Sequence, residues 1–259
     1  MTPRLQVIGG GKMGEALVAG LVAAGFAPVT ELRVVEKLDA RADELRQRFP
    51  GLDVAADPGP AAGHVLAVKP GDVEAASRAL DPREHHEQDR PAPVLSIAAG
   101  VTVARLEAVL APGTPVVRAM PNTPALVGAG AAAVAAGTHA GEGELAWAEA
   151  ILGAVGTVVR VPEGLLDAVT GLSGSGPAYV FLVAEALIEG GVLAGLPRPT
   201  ATALATQTLV GAARLLRESG DGPEALRAAV TSPGGTTAAG LRALERGGVR
   251  SAFLDAVMD

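Results

Sequence analysis

Two stretches of this chain carry residue types and spacings that could do chemistry. Ser232-Pro233-Gly234-Gly235-Thr236-Thr237 sets two glycines among three hydroxyl side chains, and a helical pattern with Leu241 and Leu244 three apart follows at once. A loop that opens a helix leaves backbone N–H groups at the positive end of the helix dipole, which suits a carboxylate or phosphate. A plain serine or threonine helix cap explains the same residues. The second stretch is Gly9-Gly10-Gly11-Lys12-Met13-Gly14, directly after the apolar run Leu5 to Ile8 and before a helical pattern reaching about Ala24. This is GxGxxG between strand and helix: the first glycine makes the tight turn, the second admits a pyrophosphate, the third lets helix pack on strand.

The elements around the second stretch strengthen it. A second strand, Leu32 to Val35, ends in Glu36, where an acid reaches the ribose hydroxyls of a dinucleotide. Such a carboxylate accepts from an adenosine 2′-OH and repels a 2′-phosphate, which favours NADH over NADPH. Lys37 and Arg41 stand close enough in sequence to offset the repulsion, and a solvated acid at a strand end is the plain alternative. Further strands read as Asp53 to Ala56, Val65 to Val68 and Val94 to Ile97, the last two running into Lys69-Pro70 and Ala98-Ala99-Gly100. Ligands of open parallel sheets lie beyond the carboxyl ends of strands, which places Ala67, Val68, Lys69 and Pro70 beside the cofactor, and the small residues Ala98-Ala99-Gly100 let a flat ring approach. A strand over Pro115 to Ala119 leads to Met120-Pro121-Asn122-Thr123-Pro124, a stiff loop that is either a site lining or a rigid turn. Strands near Ala131 to Ala135 and Thr157 to Val161 bracket a helix over Gly143 to Val155.

From Pro162 the strand pattern stops. Helices are expected over Glu163 to Gly171, Pro177 to Leu196, Arg198 to Arg217, Pro223 to Val230, Thr236 to Arg246 and Val249 to Met258. The expected fold is therefore α/β: a Rossmann-type, mostly parallel sheet domain over residues 1–161, then an all-helical dimerisation and substrate-binding domain over 162–259. So short a helical domain, with one long apolar helix, points to subunits that complete each other's core. Glu185 and Glu189 on that helix make a membrane span costly.

Composition narrows the chemistry. The 259 residues are 49% hydrophobic and 19% charged, and the 28 acids against 21 bases leave a formal charge of -7. With aromatics at 2% and no basic stripe, nucleic acid is not an expected partner. The chain has no cysteine, which excludes disulfides, Cys-ligated zinc and thiolate catalysis. His85 and His86, flanked by Glu84 and Glu87, lie in a polar loop over 81–93 that reads as solvated surface, so no metal site is expected. The N-terminus enters a strand within a few residues, leaving no room for a signal peptide, and a cytoplasmic location is expected. Lysines occur only at positions 12, 37 and 69. The β-hydroxyacid dehydrogenases place a catalytic lysine on the long helix after a Gly-Ser-Gly turn; that turn is Gly174-Ser175-Gly176 here, and Val180 stands in the lysine's place. A substrate needing little general acid help fits, and a protonated imine is one.

Several motifs together resemble pyrroline-5-carboxylate reductases. They are Ile8 to Gly14, Ala67-Val68-Lys69-Pro70, Ser96 to Thr102, Arg118-Ala119-Met120-Pro121-Asn122-Thr123-Pro124, Gly171 to Tyr179 and Ser232 to Thr237, in order along nearly the whole chain. The resemblance implies reduction of 1-pyrroline-5-carboxylate to L-proline with NADH or NADPH, in homodimers that associate into larger rings. It implies cofactor contacts at Ile8, Gly9, Gly10, Gly11, Lys12, Met13, Glu36, Ala67, Val68, Lys69, Pro70, Ile97, Ala98, Ala99 and Asn122. Substrate contacts fall on Ser232, Gly234, Gly235, Thr236 and Thr237, and one subunit's helical loop completes its partner's site. The substrate carboxylate then sits on the amides opening the helix at Gly235 to Thr237, and the Thr237 hydroxyl meets the ring nitrogen as the catalytic contact. Hydride passes to the adjacent carbon, and positioning supplies most of the acceleration. Two departures stand out. Many relatives carry a small polar residue at Glu36, and Gly220 stands where some put an acid. A reductase of another cyclic imine or a keto acid, or a nucleotide sensor without turnover, are the rival expectations.

Overall fold

The structure is a computed structural model, and it describes residues 2–80 and 91–258. The paired histidines 85 and 86 with their flanking acids lie outside the described residues. The chain divides into two compact units, Met1–Gly174 and Ser175–Asp259.

The first unit is an eight-stranded sheet with helices on both faces. Its elements are β1 (Leu5–Ile8), α1 (Lys12–Ala23), β2 (Leu32–Val35), α2 (Asp39–Arg48), β3 (Asp53–Ala55), β4 (His64–Leu66), α3 (Val73–Arg78), β5 (Val94–Ser96), α4 (Val103–Glu107), β6 (Val116–Pro121), β7 (Gly130–Ala136), α5 (Glu142–Gly153), β8 (Gly156–Arg160) and α6 (Leu166–Val169). The strand order is β3-β2-β1-β4-β5-β6-β7-β8. Every pairing is parallel except β6 with β7. Helices cover both faces of the sheet, so its central strands are mostly apolar, with single polar residues such as Gln6, His64 and Arg118 among them. Alternate residues serve the two sides. Leu5, Val7, Val34 and Val65 join Leu17, Leu21, Leu45, Ile151 and Leu152 in one core cluster, whereas Ile8, Val35 and Leu66 join Val73, Leu106 and Leu110 in the other.

Most element ends shift by a few residues from the sequence expectation, and three of the differences bear on the site. β4 stops at Leu66; the Ala67 N–H makes a last rung to the Ile8 carbonyl at 2.8 Å, and Ala67 then borders the glycine loop. β6 runs on through Met120 and Pro121, which pair with Ala133 and Ala132 of β7, so the proline-rich loop begins only at Asn122 and then forms a 3-10 turn over Thr123–Val127. The helix expected over Glu163 to Gly171 is a chain of short turns: a 3-10 turn at Glu163–Leu165, then α6, then a π-helical turn at Thr170–Gly174. There the Thr170 and Ser173 hydroxyls donate to the carbonyls of Leu166 and Val169, four residues back, which loosens a helix ladder.

The second unit holds α7 (Gly176–Leu193), α8 (Arg198–Glu218), α9 (Pro223–Ala229), α10 (Thr236–Arg246) and α11 (Val249–Met258). α7 and α8 pack closely through small residues; a methyl on Gly191 would lie 3.1 Å from the Ala201 methyl. The Tyr179 hydroxyl ties α7 to α11 by donating to the Ala256 carbonyl at 2.8 Å. Much apolar surface stays open in the single chain. On α7, Val180, Phe181, Leu182, Leu187 and Leu193 are exposed, and α10 and α11 frame an apolar groove of about 380 Å³ lined by Leu241, Leu244, Val249, Phe253 and Leu254. By length and apolarity alone the segment Glu163–Leu193 could cross a membrane.

Candidate active site

The strand order reverses between β1 and β4, and the crevice beyond their carboxyl ends is where an open α/β sheet binds its ligand. Gly9 leaves β1 with φ of +107°, a conformation that favours glycine, and its N–H is held by the Val35 carbonyl at 2.9 Å. A methyl on Gly9 would meet the Ala67 carbonyl oxygen at 2.5 Å, so the glycine loop and the strand end Ala67-Val68 are in direct contact. Gly14 is required by packing, since a methyl there would sit 2.1 Å from the Gly9 carbonyl oxygen. Gly11 is different: a methyl on it meets nothing within 4 Å. It is exposed and is the N-cap of α1, with no side chain bonded over it. The three glycines therefore divide the labour that a dinucleotide cradle demands, one for the turn, one open to the ligand, one for packing. The residues present fit a dinucleotide.

Neighbouring strand ends join this crevice. The Ile97 N–H donates to the Leu66 carbonyl at 3.1 Å, which sets Ile97, Ala98 and Ala99 beside Ala67 to Pro70. Ala98 is buried, while Lys69, Pro70 and Ala99 are exposed. Of the remaining loop residues, Lys12 is exposed and Met13 is half-buried against the core.

Glu36 is fixed at the end of β2. Its Oε2 accepts from the Gly10 N–H at 3.2 Å and its Oε1 from the Leu38 N–H at 2.9 Å. Each oxygen keeps a lone pair for a further donor, and the half-buried carboxylate lies against the glycine loop. Arg41 is less available than its sequence position suggests. Its Nε donates to the Gly10 carbonyl at 2.8 Å, its Nη1 to Glu44 at 2.7 Å, and its Nη2 to Glu15. Glu15 also pairs with Arg48 at 2.5 Å. The hydrogen bonds to Glu15, then Glu44, raise the Arg41 guanidinium above its ordinary pKa, so it is a permanent but compensated charge.

Asn122 turns its side chain inward. Its carboxamide oxygen accepts from the Ala131 N–H at 2.8 Å, and its nitrogen donates to the Ser173 carbonyl at 2.9 Å. Both ends of the amide thus clasp the start of β7 to the π-helical turn. Met120 supports the same turn, where a methyl on Gly174 would meet its Cε at 2.8 Å. Nearby, Glu163 accepts from the Val103 N–H at 2.6 Å and from Arg118 at 3.0 Å.

In the second unit, Gly234 has φ of +73° and the Gly235 N–H closes a turn on the Ser232 carbonyl at 3.1 Å. Gly235 is the N-cap of α10, and no side chain caps the helix. The serine or threonine cap expected from sequence is therefore absent. A methyl at that point would lie 2.5 Å from the Ser232 hydroxyl, which would have to rotate away. The uncapped first turn, carrying the exposed Thr236 and Thr237, has the donors an anion needs.

Glu15, Arg118 and Glu163 had no role in the sequence reading. Glu15 was detectable as an acid in the first turn of a helix built to receive phosphates. Its pairing with Arg41 was not, since the partner comes from another element.

Comparison with known proteins decides the family. A family model described as pyrroline-5-carboxylate reductase dimerisation matches residues 163–259, and one described as NADP oxidoreductase, coenzyme F420-dependent, matches residues 4–100. A pyrroline-5-carboxylate reductase of Synechocystis is 47% identical over 99% of this chain and 95% of its own length. The chain belongs to the pyrroline-5-carboxylate reductase family. The Mycobacterium tuberculosis reductase is 46% identical over 98% of this chain and 93% of its own length. Among solved structures, the reductase of Coxiella burnetii has a TM-score of 0.91 at 37% identity, covering 100% of this chain and 96% of that one. The Plasmodium falciparum enzyme, solved with NADP bound, has a TM-score of 0.81 at 27% identity, covering 99% and 94%.

Proposed function

We infer that this chain reduces the imine of 1-pyrroline-5-carboxylate to give L-proline, as an NAD(P)H-dependent oxidoreductase acting on a carbon–nitrogen double bond. What carries the reading is the near-full-length likeness to reductases of that name, at 47% identity in the Synechocystis case. When bound, the dinucleotide supplies the hydride. The chain's own residues hold and orient. The open face at Gly11 takes the pyrophosphate on the first turn of α1, and Ala67 to Pro70 with Ile97 to Ala99 border the nicotinamide end.

The Gly235 N–H is spent on the Ser232 carbonyl, so the amides of Thr236 and Thr237 on the first turn of α10 hold the substrate carboxylate, and the Thr237 hydroxyl bonds to the ring nitrogen. Hydride adds to the imine carbon, the C=N π pair moves to nitrogen, and the protonated imine leaves as a neutral secondary amine that takes a proton from water. A cation already at the reacting centre removes the need for a tuned acid, and alignment does most of the work. Asn122 acts in this reading through the turn it clasps. Residues 1–161 serve the dinucleotide and 162–259 serve dimerisation and substrate, in a homodimer of a cytoplasmic enzyme.

NADH is the preferred donor in this reading. Glu36 is fixed by two backbone amides with lone pairs to spare, and a 2′-phosphate beside it would be repelled. Two measurements test the proposal. Purified protein should oxidise NADH with pyrroline-5-carboxylate faster than with other cyclic imines or keto acids; preference for a keto acid would overturn the substrate assignment. Glu36→Ser should move the ratio of kcat/KM for NADPH over NADH up by about tenfold, and an unaltered ratio would remove Glu36 from ribose recognition.

A further inference from the structure

The proposed preference for NADH rests on Glu36, yet the same corner of the first unit holds a cation that ought to counteract it. Arg41 and Glu36 bind the same residue from its two ends: Arg41 Nε donates to the Gly10 carbonyl at 2.8 Å, while Glu36 accepts from the Gly10 N–H at 3.2 Å. A guanidinium so near the ribose-recognising carboxylate is placed to meet a 2′-phosphate, for which arginine has the matching donor fork. Three of its five N–H groups are already engaged, by the Gly10 carbonyl, Glu44 and Glu15. Glu15 also receives Arg48, and its side chain is only 14% exposed, so this is a sheltered acid bridging two cations. The charges at this corner are Glu15, Glu36 and Glu44 against Lys37, Arg41 and Arg48, which cancel. The corner is therefore neutral overall, and the Arg41 fork is largely engaged within the chain.

We propose that Glu15, assisted by Glu44, is a specificity-determining residue for the dinucleotide: it holds the Arg41 fork away from the adenosine 2′ position and so excludes the 2′-phosphorylated cofactor independently of Glu36. Glu15 touches no ligand in this role. It acts through Arg41. The proposal rests on the dinucleotide reading of the glycine loop and deepens it. It implies that replacing Glu36 alone relieves repulsion without supplying attraction, and that full acceptance of a 2′-phosphate needs the arginine released as well.

The test is equilibrium binding of adenosine 2′,5′-bisphosphate and of ADP, by titration calorimetry on the full chain, with no turnover involved. The variants are Glu36→Ser, Glu36→Ser with Glu15→Gln, Glu36→Ser with Glu44→Gln, and the Glu36→Ser/Glu15→Gln protein carrying Arg41→Met. Adding Glu15→Gln should tighten the bisphosphate by about tenfold while changing ADP by less than about twofold. Adding Arg41→Met should abolish that gain. Glu44, with a side chain 65% exposed, supplies a second release of Arg41 should Glu15→Gln lower the melting temperature, and it should give a smaller gain of the same sign. Equal tightening of both ligands would show only that an acid had been removed from the pyrophosphate end, and a gain that survives Arg41→Met would overturn the role of Arg41. Wild-type protein that fails to bind ADP at all would overturn the dinucleotide reading itself, an outcome separate from the other two.

Discussion

At the scale of single residues, Thr237 carries the sharpest consequence. It lies on the exposed first turn of α10, which no side chain caps, so its hydroxyl and amide are available to a ligand. If that hydroxyl bonds to the charged ring nitrogen, Thr237→Ala should lower kcat/KM by about tenfold or more, with steady-state kinetics as the check; unchanged kinetics would remove it from the mechanism. The cap expected from sequence was a reasonable reading of Ser-Pro-Gly-Gly-Thr-Thr. It failed because the turn closes through the Ser232 carbonyl and leaves Gly235 in the capping position. Much of the glycine fingerprint was legible: Gly9 makes the turn and Gly14 the close packing that their spacing implied, and Gly11 leaves its side of the loop open. Glu15 was not legible, because its meaning lies in Arg41 and Arg48, which α2 delivers from more than twenty positions away.

At the scale of elements, hydrophobic runs and glycine–proline punctuation placed the strands and helices, because parallel strands buried on both faces are unmistakably apolar. Their ends were harder to read. The apolar run Val65 to Val68 outlasts β4, since its last two residues pack against the glycine loop. The segment 163–174 has helical periodicity, but hydroxyl back-bonding at Thr170 and Ser173 and the clasp from Asn122 turn its end into a π-helical turn. π-helical turns often accompany functional sites. Asn122→Ala would leave the half-buried Ala131 N–H and Ser173 carbonyl without that partner, and should cost about 1–3 kcal/mol of stability. Chemical denaturation measures this, and a stability within experimental error of wild type would show that the clasp is not what fixes the turn.

At the scale of the whole molecule, the second unit leaves Phe181 at 63% and Leu182 at 66% exposed on α7, more apolar surface than a lone soluble chain tolerates comfortably. The family model matched over residues 163–259 is described as a dimerisation domain, and we propose that a second copy of the chain covers that surface. Phe181→Glu combined with Leu182→Glu should shift the sedimentation profile from dimer or larger to monomer, with loss of activity; an unchanged profile would place the interface elsewhere. Sequence alone anticipated a subunit interface from the shortness of the helical part and the apolarity of its long helix. The number of subunits depends on surfaces that only contact with another copy defines.

The central claim is that hydride passes from the dinucleotide to the imine carbon of 1-pyrroline-5-carboxylate. Turnover with NADH dideuterated at nicotinamide C4, followed by mass spectrometry of the product, tests it most directly. The expected result is proline one mass unit heavier, with the deuterium on the former imine carbon. Unlabelled proline, or no proline beside a deuterated hydroxy acid formed from a keto acid, would contradict it.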